Sequence, residues 1–373
     1  MRIAVDGRMY QESGIGRYIR NLISNLQILD RKNEYFILHK SSDYDTLVYH
    51  NNFKKILTDF RWYGVSEQIK LPKILNQLKP DLVHFPHFNV PIFYNGRFVV
   101  TIHDLIHQHF QMRRATTLDP IIYKIKQLGY SKVFKTAISK SVHILVPSEY
   151  IKKLLVNEWR IENSKITVTS EAVDDKISTT PLRASSAEVA LATKAEQSKP
   201  YLFYVGNAHP HKNIEGLIKV FLKLKEKYQN LSLVLSGYDH YFWQRIKKEN
   251  QYHGIIYTGW VSDEELVALY KNALCFIMPS FEEGFGIPLL EAFASECPVV
   301  SSDAGALPEI GGDACLYFDP LNTSDMLSKI IRILDDENLR KSLIERGKKR
   351  VKLFSWRKLA TQTLEVYKQC ELP

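Results

Sequence analysis

At 373 residues the chain exceeds the size at which a single core keeps growing, so two domains of ordinary size are expected. A content of 45% hydrophobic and 24% charged residues excludes global disorder. No run reaches the roughly 18 uncharged apolar residues of a membrane span, and Asp6 interrupts the apolar stretch a signal peptide would need, so a cytoplasmic protein is expected. Lys and Arg number 50 against 41 Asp and Glu, a formal charge of +9 that favours acidic partners such as phosphates, anionic lipid or nucleic acid.

In chain order, RIAVD reads as a strand, RYIRNLISNL as a helix, and EYFILHK, DLVHF, RFVVTI and HILVPS as further strands. The second half continues with YLFYVG, the helical IEGLIKVFLKLKEKY, then LSLVLSG, IIYTG, ALCFIMPS and PVVSS. Short apolar strands alternating with helix-length periodic segments predict an α/β architecture of parallel sheets covered by helices. Both halves open alike, with a strand, a glycine-containing loop and an amphipathic helix, so two Rossmann-like domains are expected. The Ser-, Thr- and Ala-rich stretch STTPLRASSAEVALATKAEQSK has the composition of a linker. The expected layout is a first domain over 1–177, a linker over 178–199, a second domain over 200–355, and a terminal helix over 356–373 that crosses back to the first domain.

Cys275, Cys297, Cys315 and Cys370 show no CxxC spacing and read as small core hydrophobes. His103, His107 and His109 carry no acid–histidine spacing that would make them a metal site, and no metal is expected.

Ligands of open parallel sheets bind beyond the carboxyl ends of the strands, so the loops there carry the information. After the first strand, Gly14, Ile15, Gly16 and Arg17 open a helix whose amides suit a phosphate. A third glycine is missing and the second strand ends in His39 and Lys40 instead of an acid, which argues against a nicotinamide dinucleotide. His103 and Asp104 follow the strand RFVVTI. After YLFYVG comes a loop with Asn207, His209, His211 and Lys212, and a lysine at a helix start opposes the helix dipole unless it meets an anion.

The richest stretch is FEEGFGIPLLEAFASECPVVSSDAGALPE, residues 281–309. Pro288 reads as the first helical position and Ile287 as the N-cap, where isoleucine offers no side-chain oxygen to the free amides of the first turn. Gly284 and Gly286 allow close backbone approach, and together with the dipole they suit a phosphate. Glu291, inside the helix, and Glu283, in the loop before it, are placed to accept hydrogen bonds from hydroxyl groups such as a ribose diol. A phosphate flanked by two polyols describes a nucleotide sugar. The bland reading is a dipole-complementing Glu291 and a solvated Glu283.

The pattern of Glu283, seven residues and Glu291 resembles the E-x7-E segment of retaining glycosyltransferases of the GT-B fold, family 4, which includes many bacterial mannosyltransferases. SGIGR, TIHDL and VGNAHPHKN extend that resemblance over most of the chain. It implies two Rossmann-like domains with parallel sheets facing across a cleft that holds the site. It further implies that Gly14, Gly16 and Arg17 close over donor phosphates and acceptor, and that His103 contacts the donor sugar. Lys212 would neutralise the diphosphate. Where the family has an arginine this chain offers Asn207 and His211, the latter a cation only if protonated. Gly284, Phe285, Gly286, Ile287, Pro288, Leu289 and Leu290 would form the phosphate loop and helix N-terminus. Glu309 would lie in the loop associated with base and pyrophosphate. His103, Lys212 and Glu283 are the expected catalytic set, and no cofactor or metal is implied.

GDP-mannose is the leading donor and a UDP-sugar its rival. The acceptor would be a glycan or an undecaprenyl-linked sugar in surface polysaccharide synthesis, of O-antigen or capsule. A nucleotide-sugar epimerase or hydrolase, or a binding protein without activity, are the alternatives from other classes.

Lysines and aromatics intermingle in NFKKILTDFRWYGVSEQIKLPKILNQLK and DPIIYKIKQLGYSKVFKTAISKS. In the second, Ile121, Ile125 and Leu128 would share one helical face while Lys124, Lys132 and Lys135 reach solvent. Either these are ordinary amphipathic helices, or they attach the protein peripherally to the anionic inner face of the cell membrane, at about 1 kcal/mol for each basic residue. No nucleic-acid module is present in the sequence, and no nucleic-acid partner is expected.

Overall fold

A computed structural model describes residues 1–110, 120–174, 177 and 200–371, except for the side chains of 120–125. The stretch 178–199, expected to be a linker, lies outside the described residues. Over what is described, the chain separates into two compact units. One takes residues 1–105, 120–171 and 355–371, and the other takes 106–110, 172–174, 177 and 200–354.

The first unit is built on seven parallel strands: β1 (Arg2–Asp6), β2 (Glu34–His39), β3 (Phe53–Leu57), β4 (Leu82–Phe85), β5 (Phe98–Thr101), β6 (His143–Val146) and β7 (Ile166–Val168). Their order is β3-β2-β1-β4-β5-β6-β7. In β1 the register pairs Ile3 with Tyr35 on one side and Leu82 on the other, so Ile3, Ala4 and Val5 are covered on every side and fully buried. Strands buried on both faces need continuous apolar runs, and β4 to β6 satisfy that with LVHF, FVVT and HILV.

The helix Gly14–Leu29 turns Tyr18, Ile19, Leu22, Ile23 and Leu26 inward, at the three- and four-residue spacing of a single stripe. Against it packs the helix Trp356–Gln369, capped by the Ser355 hydroxyl and burying Trp356, Leu359, Thr363 and Tyr367. Their shared core contains polar groups that satisfy one another. His84 Nδ1 lies 2.6 Å from the Tyr367 hydroxyl, His84 Nε2 lies 2.8 Å from Thr101 Oγ1, and the Tyr18 hydroxyl lies 3.0 Å from Thr101 Oγ1. Burial pushes His84 down to about 3, so it stays neutral.

The second unit has six parallel strands: β8 (Tyr201–Val205), β9 (Ser232–Ser236), β10 (Ile255–Gly259), β11 (Cys275–Met278), β12 (Val299–Ser302) and β13 (Cys315–Phe318), in the order β10-β9-β8-β11-β12-β13. The order reverses direction between β8 and β11, the switch point beyond which a ligand crevice forms. Leu202, Leu233, Ile277, Val300 and Phe221 centre its core. Each such side chain contributes about 1.5–3 kcal/mol on burial.

Three strands, β3, β7 and β13, were not among the apolar runs of the sequence, and all three lie at sheet edges. An edge strand is covered less completely, and β3 reads FKKIL with only its first residue buried. The expected face of the Pro120–Lys140 helix needs correction. Leu128 is 73% exposed, while Phe134, Ala137 and Ile138 form the buried stripe; Lys132 and Lys135 reach solvent as expected. Ile121, Lys124 and Ile125 lie outside the described side chains. The four cysteines are free and buried. Among the described residues no helix is long and apolar enough to cross a membrane, and no cluster of His, Cys, Asp or Glu suits a metal ion.

Candidate active site

Within the second unit the loops after β8, β11 and β12 converge around Glu283. Lys212, in the turn Pro210–Lys212, places Nζ 2.7 Å and 2.8 Å from the two Glu283 oxygens. The Ser280 hydroxyl donates to Glu283 Oε1 at 2.6 Å. Lys212 and Glu283 side chains are only 15% and 8% exposed, so the pair is largely removed from water, where Coulomb attraction is stronger than at the surface.

The backbone holds this pair in place. Phe281 N–H donates to the His211 carbonyl at 2.7 Å, and Ala306 N–H to the Glu283 carbonyl at 3.0 Å. Asn213, in the left-handed region at φ 57°, sends its side-chain amide to the Pro279 and Pro320 carbonyls at 3.1 Å and 3.3 Å. Gly305, at φ 64°, lies so close that a Cβ there would be 2.6 Å from the Glu283 carbonyl oxygen and 2.7 Å from its nitrogen.

The helix after this loop runs Ile287–Ala294, and its N-cap is Gly286 at φ 103°, one residue earlier than the sequence suggested. Ile287 is therefore already helical and Pro288 is the second position. Glycine takes the cap because the chain enters through the left-handed region, which isoleucine avoids. The main expectation about the cap holds in altered form: no side chain caps this end. Pro288 has no N–H to leave unpaired, and Leu289 N–H donates to the Gly286 carbonyl at 3.0 Å. Leu289 and Leu290 are fully buried, so their side chains belong to the core. Phe285 is buried edge-on against Phe354, with ring centroids 5.7 Å apart.

Glu291 sits beyond the first turn and is 4% exposed, and Tyr270 donates its hydroxyl to Oε2 at 3.1 Å. Glu309 belongs to the short helix Leu307–Gly311, whose Glu309 and Ile310 carbonyls accept from the Arg350 guanidinium. Asn207 Oδ1 accepts from His209 N–H at 3.2 Å, turning the loop after β8.

His211 is held in its neutral form by its surroundings. Burial and then the Lys212 charge push it down to about 2, and His209, ring-stacked on it at 5.8 Å, is pushed down to about 4 by burial and then by the neighbouring His240. Both are neutral near pH 7. The second unit also contains the segment with His109, whose Nδ1 lies 2.9 Å from both Glu282 oxygens.

The first unit holds the remaining candidates. Gly14 starts the helix Gly14–Leu29, and at Gly16 a Cβ would meet the Tyr10 carbonyl oxygen at 2.5 Å, so glycine there permits close packing of two backbone segments. Arg17 N–H donates to the Ser13 carbonyl at 3.2 Å. His103 lies just past β5, with Nδ1 2.8 Å from Glu171 Oε1 and Nε2 2.8 Å from the Pro86 carbonyl oxygen. Its pKa is raised: desolvation opposes the charge, but Glu171 outweighs it.

The expected residues thus gather in two groups: Lys212, Glu283, the 284–291 segment and Glu309 in the second unit, and Gly14, Gly16, Arg17 and His103 in the first. Ser280, Tyr270, Glu171 and Gly305 were missed. Only Gly305 carried a signal, as the glycine of the turn SDAGALPE.

Known proteins match this arrangement along nearly the whole chain. The family described as Glycosyltransferase Family 4 matches residues 13–176, and that described as Glycosyl transferases group 1 matches residues 189–350. The O-antigen chain mannosyltransferase B of Escherichia coli is 30% identical, over 96% of this chain and 97% of its own. The O-antigen chain mannosyltransferase RfbU of Salmonella typhimurium is 26% identical over 73% of this chain and 70% of its own. Among solved structures, WaaG, a glycosyltransferase involved in lipopolysaccharide biosynthesis, superposes with a TM-score of 0.73 at 13% identity, over 98% of this chain and 99% of that one. Anabaena Alr3699/HepE in complex with UDP and glucose gives 0.73 at 13% identity, over 99% of both chains. At such identities the structures speak for the fold alone. With two parallel sheets, an uncapped helix at the switch point that carries Glu291 and follows the loop carrying Glu283, and a full-length relative at 30% identity, the chain belongs to the GT-B glycosyltransferases of family 4.

Proposed function

We propose that this glycosyltransferase moves mannose from GDP-mannose, with retention of configuration, to a glycan or undecaprenyl-linked acceptor in the synthesis of a bacterial surface polysaccharide such as O-antigen. The observation that carries the reading is the Lys212–Glu283–Ser280 cluster beside an uncapped helix N-terminus. A diphosphate needs a fixed cation and convergent amides, and a sugar needs a carboxylate that accepts from its hydroxyls. In the structure Lys212 and Glu283 satisfy one another. A donor would draw Lys212 to its diphosphate and leave Glu283 to a hydroxyl of the sugar. The mannosyltransferase relatives support mannose as the sugar.

In this mechanism the bond between the anomeric carbon and the diphosphate oxygen breaks while the acceptor oxygen bonds to the same face. The acceptor proton passes to the departing phosphate oxygen, so no protein base is required. Lys212 and the helix N-terminus hold the charge that develops on the leaving group. Glu291 takes the ribose diol. Peripheral attachment to the inner membrane face is part of the proposal. The Val65–Leu78 helix turns outward Val65, 79% exposed, and Ile69, 50% exposed, beside exposed Arg61, Lys70 and Lys73. A UDP-sugar donor is the second reading; the solved neighbour Anabaena Alr3699/HepE is itself in complex with UDP and glucose.

Incubating the protein with GDP-, UDP-, dTDP- and ADP-sugars, with and without a lipid-linked acceptor extract, tests this. The expected outcome is release of GDP from GDP-mannose that depends on acceptor and matches mannose incorporated. Acceptor-dependent turnover of a UDP-sugar alone would replace the donor, and release that ignores acceptor would overturn the transferase mechanism.

A further inference from the structure

The surroundings of His103 determine how this residue works, and they bring in a residue that its sequence position did not mark. Each ring nitrogen faces an atom that only accepts: Nδ1 the Glu171 carboxylate at 2.8 Å, Nε2 the Pro86 carbonyl at 2.8 Å. A neutral imidazole carries one N–H and can satisfy one of these. Satisfying both takes a second proton, on Nδ1, and a histidine is the more basic partner of a histidine–glutamate pair. The His103 and Glu171 side chains are 14% and 8% exposed, so water does little to satisfy either group if the pair is broken.

The geometry points to His103 acting as an imidazolium at neutral pH whose charge and orientation Glu171 holds, which makes Glu171 a positioning residue of this active site. This deepens the function proposed above and rests on it for the catalytic role. A histidine with both N–H groups spent is no general base and makes no further hydrogen bond through nitrogen. It acts through its charge, and this fits a reaction in which the departing phosphate oxygen takes the acceptor proton.

The other groups around His103 are consistent with the charge. Asp104 follows it in the chain and favours the cation. Tyr18, from the Gly14–Leu29 helix, sets its ring edge-to-face at 4.8 Å and spends its hydroxyl on Thr101. His84, on β4, is held neutral by burial and by the neighbouring His103 charge, so it does not compete as a cation. The helix whose first turn carries Gly14, Gly16 and Arg17 therefore packs directly against the charged ring, and the same contacts that seat the ring seat that turn.

Two measurements test the inference. In protein labelled with 15N-histidine, long-range nitrogen–proton spectra at pH 7.5 are expected to show both His103 nitrogens protonated, assigned by loss of the signal in His103→Gln. One deprotonated nitrogen would overturn the inference, whatever the enzyme transfers. Second, nucleotide release is followed against pH with the donor the enzyme turns over. Glu171→Gln is expected to move the alkaline limb to lower pH by about one unit or more and to lower kcat more than it raises KM. Glu171→Asp, which keeps the carboxylate, is expected to restore the limb in part and serves as the test variant if the glutamine protein fails to fold. Lower activity with an unmoved alkaline limb in both variants would reduce Glu171 to a structural residue and overturn the positioning role.

Discussion

Lys212 and Glu283 are 71 residues apart in the chain and 2.7 Å apart in the fold, and that contrast sets what each is expected to do on substitution. Lys212→Ala removes the cation proposed to face the leaving group. Its expected effect is on turnover, about 3 kcal/mol of barrier or roughly a hundredfold in kcat, with donor binding less affected. Single-turnover kinetics at saturating donor checks this, and a normal rate would remove Lys212 from the diphosphate role. Glu291→Ala is expected to weaken nucleotide binding by about 1–3 kcal/mol, measured by calorimetry with GDP, while Tyr270 keeps its alternative contact with the Pro288 carbonyl. Unchanged affinity in the folded variant would end the ribose assignment. Residue types were legible in the sequence because carboxylates and a lysine among glycines narrow the chemistry. Their partners were not, since Tyr270 and Glu171 meet Glu291 and His103 only through the fold, and Ser280, though three residues from Glu283, carries no mark of its own in the sequence.

At the level of elements, the loop after β12 holds the active-site loop by backbone contact. Gly305→Ala adds a methyl where 2.6 Å separates it from the Glu283 carbonyl oxygen and where φ is 64°, so either the loop or Glu283 must shift. An expected loss of about 1–3 kcal/mol in stability should accompany a fall in turnover far larger than that from Gly14→Ala, whose site has open space around it. Denaturant unfolding alongside kinetics separates the two effects, and an active, fully stable Gly305→Ala protein would contradict this packing. The same scale shows where sequence reading succeeded. Central strands announce themselves as continuous apolar runs because both faces are covered. β3, β7 and β13 escaped because an edge strand keeps polar positions, and FKKIL looks like part of a basic helix until β2 pairs with it. The cap of the Ile287–Ala294 helix was read one residue late for a related reason. Glycine's φ above zero is a property of the turn, and the letters G-I-P are compatible with either position.

Across the whole molecule, histidines buried in neutral form make stability depend on pH. His39 and His84 in the first unit are fully buried and held down to about 4 and about 3, and His209 and His211 in the second are also lowered. Below about pH 6.5 the unfolded chain binds protons that these groups refuse, so stability present above that pH is lost as pH falls. Each fully buried one costs up to about 1.4 kcal/mol per pH unit in that window. His103 runs the other way: its pair stabilises below about 6.5 and that contribution is lost as pH rises through its raised value. A melting temperature that falls steadily from pH 7 to pH 5 is expected by scanning fluorimetry, and a flat profile would contradict it. The duplicated α/β plan was legible because its pattern repeats. The grouping of residues 106–110 with the second unit had no such signal, while the helix Trp356–Gln369 groups with the first unit, far from its neighbours in sequence.

That last feature bears on how the protein is made. Thr363 and Tyr367 complete the core around Tyr18 and His84, yet they are synthesised after all of residues 172–354. At a ribosomal pace of about 5–20 residues per second, the first unit waits on the order of ten seconds or more with that face uncovered. During this interval the second unit has time to fold by itself, while the first remains a candidate for chaperone binding until its final helix docks.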